Sequence, residues 1–506
     1  MSLGSPSRYS LLLGLLLAIL LAATALRLEN LGTTSLWEDE LFSADIVLQR
    51  PLVPQPGTPW LESRPLPALQ DGGTESFWTV KAADQSPPMF ELAAKAVTSL
   101  FGSGEASLRL TSALASLAAL AWLAARAWRA RAGPLMPVYL AVLVLMAFNG
   151  FMVFYAREAR AYALGAALTL VLATRFWERS VTGWRQAPLP GWGEIALCVA
   201  ACMTHYNALA LVGLMLLPCA WEGWRRKDIA ALARMAVVAA FVGGWLFMSY
   251  DSFTMAAQGD LGWMPKMSTR KTAEVLAAYF MREGTGPWLA GLLVLLLTTT
   301  VLASLGKPTT SADGKQLVRG ATAAGALSLA AFGLAVLVAH KAHILNARHL
   351  IFAMPVLFLL AGSCAALLAL RWPAALWLFL VTAAATQIPL VQAALADPKS
   401  DYRGATAFVV ERLQDGDALI TTPLLNPSAY NYYLHRTGKR FERKMLSVPQ
   451  QGAQLCTELS NHERIGFLGH LAGFQAAVAM KKACGDRYTI DFYLRHKAFA
   501  AVWTRK

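Results

Sequence analysis

Charge is scarce in this chain. Asp, Glu, Lys and Arg make up 15% of its 506 residues, while 56% are hydrophobic. With a mean hydropathy of +0.43, there is too little polar surface to cover a soluble protein of that length. Glycine-rich loops of the kind that cradle nucleotide phosphates are missing, which removes the simplest argument for a nucleotide-sugar site. No internal repeat is visible, so the inverted duplication common in transporters has no support. Nor is any basic face interleaved with stacking aromatics, so the net charge of +14 does not mark a nucleic-acid binder. Cysteine is limited to six residues. Cys198, Cys202, Cys219 and Cys364 lie in apolar runs and are expected to pack as small hydrophobes. Such scattered cysteines make no metal site. Cys456 and Cys484 can form a disulfide in an oxidising compartment or stand as two thiols.

Long apolar runs are what the sequence does have. Residues 11–26 read LLLGLLLAILLAATAL and similar segments recur as far as Leu395, each close to the ~20 residues that cross ~30 Å of hydrocarbon. About eleven transmembrane spans are expected, centred near residues 18, 116, 145, 169, 199, 214, 240, 296, 330, 359 and 383. His205, Tyr206 and Asn207 interrupt the apolar sequence between the spans near 199 and 214. The Ala-Thr-Ala at 23–25 resembles a cleavage site, but the run before it is long for a signal peptide.

Basic residues orient these spans. Arg126, Arg129 and Arg131; Arg175, Arg179 and Arg185; Arg225, Arg226 and Lys227; and Lys307, Lys315 and Arg319 fall in four loops. Alternate threading puts these loops on one face, the cytoplasmic one by the positive-inside rule, where anionic lipid headgroups are the natural partners. The expected layout is a first transmembrane helix over 1–28, an exported loop over 29–105, the remaining membrane body over 106–396 and an exported domain over 397–506. In the exported loop, Pro87 and Pro88 suit a helix start, and the apolar residues that follow are spaced for an interfacial helix on the outer leaflet. In the tail, GDALITTP, ERIGFLGH and DRYTIDFYL read as strands and ATAFVVERLQ as a helix, which makes a small α/β domain.

Against this background the stretch SLWEDELFSADI, residues 35–46, needs explaining. Burying Glu38, Asp39 and Glu40 at mid-bilayer would cost on the order of 8–10 kcal/mol, so the three acids belong at the interface. There they either cap the following helix or do chemistry, and the residues alone leave both open. Arginines collect on the same exported face. FYAREARAYAL, residues 154–164, carries Arg157 and Arg160, and HKAHILNARHL, residues 340–350, carries Lys341, Arg348 and His349. A single arginine there commonly snorkels to headgroups. Two such sites beside an acidic cluster point to an anionic ligand handled next to a carboxylate. His205, alone at a span end, is more often structural than catalytic. His340 and His343 have helical spacing but no nearby acid, so no metal is expected.

These segments resemble a family. LWEDELFSADI is similar to the Trp/Tyr-x-Asp-Glu motif in the first exported loop of GT-C glycosyltransferases that use polyprenyl-phosphate sugars, a superfamily that includes protein O-mannosyltransferases and aminoarabinose transferases. SPPMFELAAKAVTSLFGSGEASLRLTSAL, YAREARAYAL, THYNALALVG and ARHLIFAMPVLFLLAG follow in the family's order, from about residue 8 to about residue 437. The resemblance implies a GT-C-like polytopic fold in a bacterial inner membrane, with the site on the periplasmic side. It implies sugar transfer from an undecaprenyl-type donor to a lipid, glycan or protein acceptor, without a cofactor. It places the catalytic carboxylate at Asp39 with Glu40 beside it, and it implicates Glu105, Arg109, Glu158, Arg160, Tyr162, His205 and Arg348 in the site or its scaffold. Relatives often carry Lys or His immediately before the two prolines, where this chain has Ser86. Contact with the lipid phosphate then falls to Lys81, Arg160 or Arg348, with Arg157 close by.

The chemistry suits that arrangement. A departing lipid phosphate is already a stable anion and needs cations more than a proton. The attacking hydroxyl or amine must lose a proton, which asks for a carboxylate in reach. A second carboxylate such as Glu105 or Glu158 would allow a covalent intermediate and so leaves the stereochemistry open. The rival readings are a lipid-linked sugar transporter or flippase, whose charges would sit at mid-depth, and a membrane anchor carrying a binding or sensing tail.

Overall fold

The computed structural model describes residues 6–49, 76–82, 84, 86–250, 268, 270, 311–342, 347–396, 399–421, 428–439, 441–445, 456, 459–470, 478, 482, 484 and 487–506. The chain divides into two compact units. One comprises Met1–Glu29, Gln85–Phe90 and Arg109–Asp397; the other comprises Asn30–Asp84, Glu91–Leu108 and Pro398–Lys506.

The first unit is helical. Its elements are α1 (Pro6–Leu28), most of α5 (Glu105–Arg129), α6 (Met136–Phe148), α7 (Gly150–Ala156), α8 (Ala161–Thr182), α9 (Trp192–Cys202), α10 (Tyr206–Arg225), α11 (Ile229–Met248) and α12 (Ala312–Ala342). A 3-10 segment, Ala347–Ala353, then leads into α13 (Met354–Arg371), α14 (Ala374–Ala385) and α15 (Ile388–Ala396). Among the described residues seven helices are long and apolar enough to cross a membrane, or eight if the bent pair α6 and α7 counts as one span. Their packed core includes Leu143, Leu170, Trp177, Leu211 and Phe358.

Several expected spans take another form. The one near 199 is only the 11-residue α9, about 16 Å long at ~1.5 Å per residue, because His205 starts a new helix rather than continuing it. The one near 145 is broken by 60° between α6 and α7. Asn149 caps α7 by accepting the Met152 N–H at 3.1 Å, and Gln387 Oε1 accepts from Asn149 Nδ2 at 3.2 Å and from the Gly150 N–H at 3.1 Å. These buried amides replace the backbone partners lost at the break, as an apolar surround requires. The span near 169 is the 22-residue α8, which ends in Arg175, Glu178 and Arg179 and is too polar there to be counted by composition. The expected span near 296 and the His340 and His343 pair lie outside the described residues or side chains.

One buried cation in this unit went unanticipated. Arg27, fully enclosed near the end of α1, donates to Ser116 Oγ at 2.8 Å and to the Ala147 and Met146 carbonyls at 2.9 and 2.8 Å, so it pins three helices through groups with no water to turn to.

The second unit contains α2 (Glu38–Val47), α3 (Phe77–Ala82), most of α4 (Met89–Phe101), α16 (Tyr402–Arg412), α17 (Ser428–His435) and strands β1 (Ala418–Thr421), β2 (Glu442–Met445), β3 (Arg464–His470), β4 (Tyr488–Arg495) and β5 (Ala498–Arg505). The sheet order is β2-β1-β3-β5-β4. β1 runs parallel to both β2 and β3, and β5 is antiparallel to β3 and β4. His496 and Lys497 close the β4–β5 hairpin at φ 45° and 69°, the left-handed geometry that a two-residue turn needs to match strand twist. One sheet face packs Ile420, Ile465, Phe467 and Trp503 against Tyr488 and the bonded pair Cys456 and Cys484, so the cysteines form a disulfide. The segment that follows α1 and the C-terminal tail, separate parts in the sequence, share this one unit. Tyr433 on α17 accepts the Leu36 N–H at 2.7 Å and the Ser35 hydroxyl at 3.0 Å, and Arg403 Nη1 reaches the Gly32 carbonyl at 3.3 Å.

Candidate functional site

The candidate residues fall into two clusters, one in each unit. In the sheet-containing unit, Trp37 is the N-cap of α2 and all three acids occupy its first turn, where the helix dipole favours negative charge. Glu40 is fully buried; its carboxylate accepts the Trp37 N–H at 3.2 Å and faces Lys399 Nζ at 3.5 Å. Glu38 accepts from the Tyr402 hydroxyl and, at 3.4 Å, from Ser400 Oγ. Burial, and then the Glu38 charge, push the Tyr402 phenol far above its usual range, so it stays a donor. His470 lies 3.9 Å from Glu38 but burial lowers its pKa despite that carboxylate. Glu40 thus closes the cap and Glu38 ties the turn to Tyr402 and Ser400, and Asp39 sits half-buried between them.

Lys81 and Glu105 belong to the same unit. Lys81 is fully buried, with Nζ 2.6 Å from Asp84 Oδ2 and 2.9 Å from Glu91 Oε2. Glu91 also accepts from Ser43 Oγ at 3.3 Å, which ties α2, α3 and α4 together. Burial alone would lower the Lys81 pKa, but the two carboxylates outweigh it and the net shift is upward. Glu105 accepts from Arg403 and Arg436, both at 3.3 Å.

In the helical unit the arginines converge. Arg160 is the N-cap of α8, and its carbonyl accepts from Ser112 Oγ at 3.1 Å. Tyr162 follows on α8, and the Arg348 guanidinium lies 5.8 Å from the centre of its ring, within cation–π range. His205 caps α10, with Nδ1 accepting the Asn207 N–H at 3.2 Å. Its ring centre is 4.9 Å from that of Phe352, 5.3 Å from His349 and 5.8 Å from Tyr162. Desolvation, followed by the nearby His349, Arg160 and Arg348, drives the His205 pKa well below its usual value. The ring is thus neutral, and an accepting Nδ1 places the proton on Nε2. Gly165, one turn along α8, makes room for this cluster, because a Cβ there would overlap the Phe352 ring.

Other expected residues hold the frame of this unit. Arg157 donates to the Leu26 and Glu29 carbonyls at 3.2 and 2.6 Å, and burial followed by Arg109 lowers its pKa. Arg109 and Glu158 are both buried. The Ser86-Pro-Pro segment docks where the Met89 N–H donates to the Met203 carbonyl at 2.8 Å, two residues before His205. Sequence reasoning missed Lys399, Tyr402, Glu91 and Phe352. Of these Phe352 and Glu91 had a signal, their places in the ARHLIF and SPPMFEL segments. Among the described residues no group of three or more His, Cys, Asp or Glu is placed to hold a metal.

Comparison with family models and with curated protein sequences finds no match. Solved structures do match. ArnT from Cupriavidus metallidurans, in the apo state and bound to undecaprenyl phosphate, aligns over 97% of this chain and 98% of that chain, with a TM-score of 0.59 and 14% identity in each case. The chain has the fold of ArnT, the GT-C fold. At that identity the GT-C likeness is one of fold, and it extends over the helical and the sheet-containing units alike.

Proposed function

We propose that this protein is a membrane glycosyltransferase that moves a sugar from an undecaprenyl-type polyprenyl phosphate to an extracytoplasmic acceptor. The observation that carries this reading is the cluster in which Arg348 stands against Tyr162, Tyr162 and His349 stand against His205, and Arg160 caps the helix that begins beside Tyr162, in a fold whose ArnT neighbour has been solved with undecaprenyl phosphate. In the step envisaged, the acceptor hydroxyl or amine attacks the anomeric carbon and its proton passes to Asp39. The bond from that carbon to the phosphate oxygen breaks, and the electron pair leaves with the lipid phosphate. Arg160 and Arg348 stabilise that anion. Lys81, enclosed by two carboxylates, holds the loop instead, and Glu40 fixes the turn that presents Asp39.

The eleven-span arrangement, the placement of the sheet-containing unit on the periplasmic side and the bacterial inner-membrane location are part of the same proposal. They rest on the basic loops and on the poor fit of the acidic turn to a bilayer interior. The interfacial lie of α4 is supported by its 13-residue length and its exposed Leu100 and Phe101. Chemistry of this kind needs no resident metal or cofactor, and the sugar is a hexose or pentose. Incubating purified protein with polyprenyl phosphate carrying radiolabelled sugar and an envelope extract tests the reading. Label moving to a new product supports transfer; label crossing a vesicle membrane while still on its lipid would favour a flippase.

A further inference from the structure

A second cationic site lies at the opposite end of α10 from His205. α10 spans 20 residues, so the two ends are ~30 Å apart at ~1.5 Å per residue. There the C-terminal ends of α8 and α10 and the first turns of α12 border a cleft of about 450 Å³, lined by Trp184, Arg185, Trp221, Glu222, Arg225 and Arg319 among others. Its charge is unbalanced. Among the described residues Glu222 is the one carboxylate in the lining, and it is taken up by Arg226, at 2.9 Å from Nε. Arg225 stands 3.9 Å from the same carboxylate. Arg185 and Arg319 make no ion pair among the described residues. Packed helix ends thus hold three guanidinium groups around a concave surface where, among the described residues, Glu222 is the sole carboxylate and is shared between Arg225 and Arg226, although the last carbonyls of α8 and α10 balance part of that charge.

The surroundings indicate what kind of anion fits. Leu217, Trp221 and Trp224 recur at helical spacing along the last turns of α10 and are 63%, 58% and 62% exposed, an apolar stripe that runs up to the arginines. Tryptophan at such a position marks the boundary between hydrocarbon and headgroups, and a stripe leading into a basic recess accommodates acyl chains below a phosphate. A soluble phosphate ester would use the arginines but gain nothing from the exposed stripe.

We infer that this cleft binds the phosphate of an anionic glycerophospholipid, with Arg185, Arg225 and Arg319 around the headgroup and Trp221 against the upper acyl chain. The site is independent of the sugar-transfer proposal and shares no residue with it. The test is native mass spectrometry of the full-length protein, exchanged into phosphatidylglycerol or phosphatidylcholine of identical chains. R185Q/R319Q is the test variant and R129Q/R371Q an equal charge change elsewhere. Arg185 is exposed, so R185Q alone serves if the double variant does not fold. The expected result is selective retention of phosphatidylglycerol by the wild type and the control, weakened roughly 30-fold in R185Q/R319Q and several-fold in R185Q, with phosphatidylcholine unchanged. Equal retention of both lipids, or equal loss in test and control variants, overturns the inference. So does displacement of the lipid by millimolar glycerol phosphate, which would reassign the arginines to a soluble ligand.

Discussion

The Arg348 guanidinium lies 5.8 Å from the centre of the Tyr162 ring, so a cation from the 3-10 segment is held on an aromatic surface belonging to α8. A flat, permanently charged group held this way can meet a phosphate with two parallel N–H donors, which lysine cannot do. Arg348→Lys therefore keeps the charge and loses the geometry. The expected effect is a fall in sugar-transfer turnover of roughly 10-fold, and of roughly 100-fold in Arg348→Gln, both with the wild-type thermal unfolding profile. Steady-state kinetics with a polyprenyl-phosphate sugar read this directly.

Gly165 clears the space that Phe352 fills beside His205. Gly165→Ala should push that ring into the cluster and lower turnover by about 10-fold, since displacement of positioned groups by ~1 Å is costly. Gly165→Ala combined with Phe352→Leu relieves the overlap and should recover part of the loss.

Lys81 between Asp84 and Glu91 is a stabilising element. Lys81→Met leaves two carboxylates without their buried cation and should cost ~3–5 kcal/mol, whereas Lys81→Met with Asp84→Asn and Glu91→Gln should cost far less. The folded-state pKa of Lys81 is raised above 10.5, so its stabilising contribution is whole below pH ~10.5 and is lost as pH rises through the raised value. Denaturant unfolding at pH 8 and at pH 11 checks the sign: wild type should weaken over that interval more than the triple variant.

His205 gives the opposite dependence. Its folded pKa is lowered from 6.5, so as pH drops below about 6.5 the unfolded chain takes up a proton that the folded one refuses, and stability falls by up to ~1.4 kcal/mol per pH unit. His205→Asn, which can still accept at the α10 cap, should lose this acid sensitivity. Unfolding midpoints of the two proteins between pH 5 and 7.5 should converge as pH falls.

How much of this the sequence disclosed depends on how local each feature is. The helix over Tyr402–Arg412 announces itself by its periodicity, and the strands over Ala418–Thr421, Arg464–His470 and Tyr488–Arg495 by short apolar runs with turn residues beside them. β5 was missed because AFAAVW is half alanine and follows Arg-His-Lys rather than a glycine, proline, asparagine or aspartate turn signal. β2, over Glu442–Met445, reads ERKM and carries no strand signal at all. The break at Asn149 was hidden because its compensating partner, Gln387, lies 238 residues away. The same applies to Glu38 and Tyr402, separated by 364 residues, whose pairing assigns an anchoring role to one of three adjacent acids. The cationic cluster was more legible, because Arg160, Tyr162, His205 and Arg348 each stand at the end of an apolar run, where a polar residue needs a reason.

The central claim, that Asp39 accepts the acceptor's proton, is tested most directly by transfer of radiolabelled sugar from polyprenyl phosphate in purified Asp39→Asn. Turnover should fall by ~10²–10⁴-fold, the usual worth of general-base catalysis, while polyprenyl-phosphate binding and thermal unfolding match the wild type. Turnover within a few-fold of wild type would contradict the account.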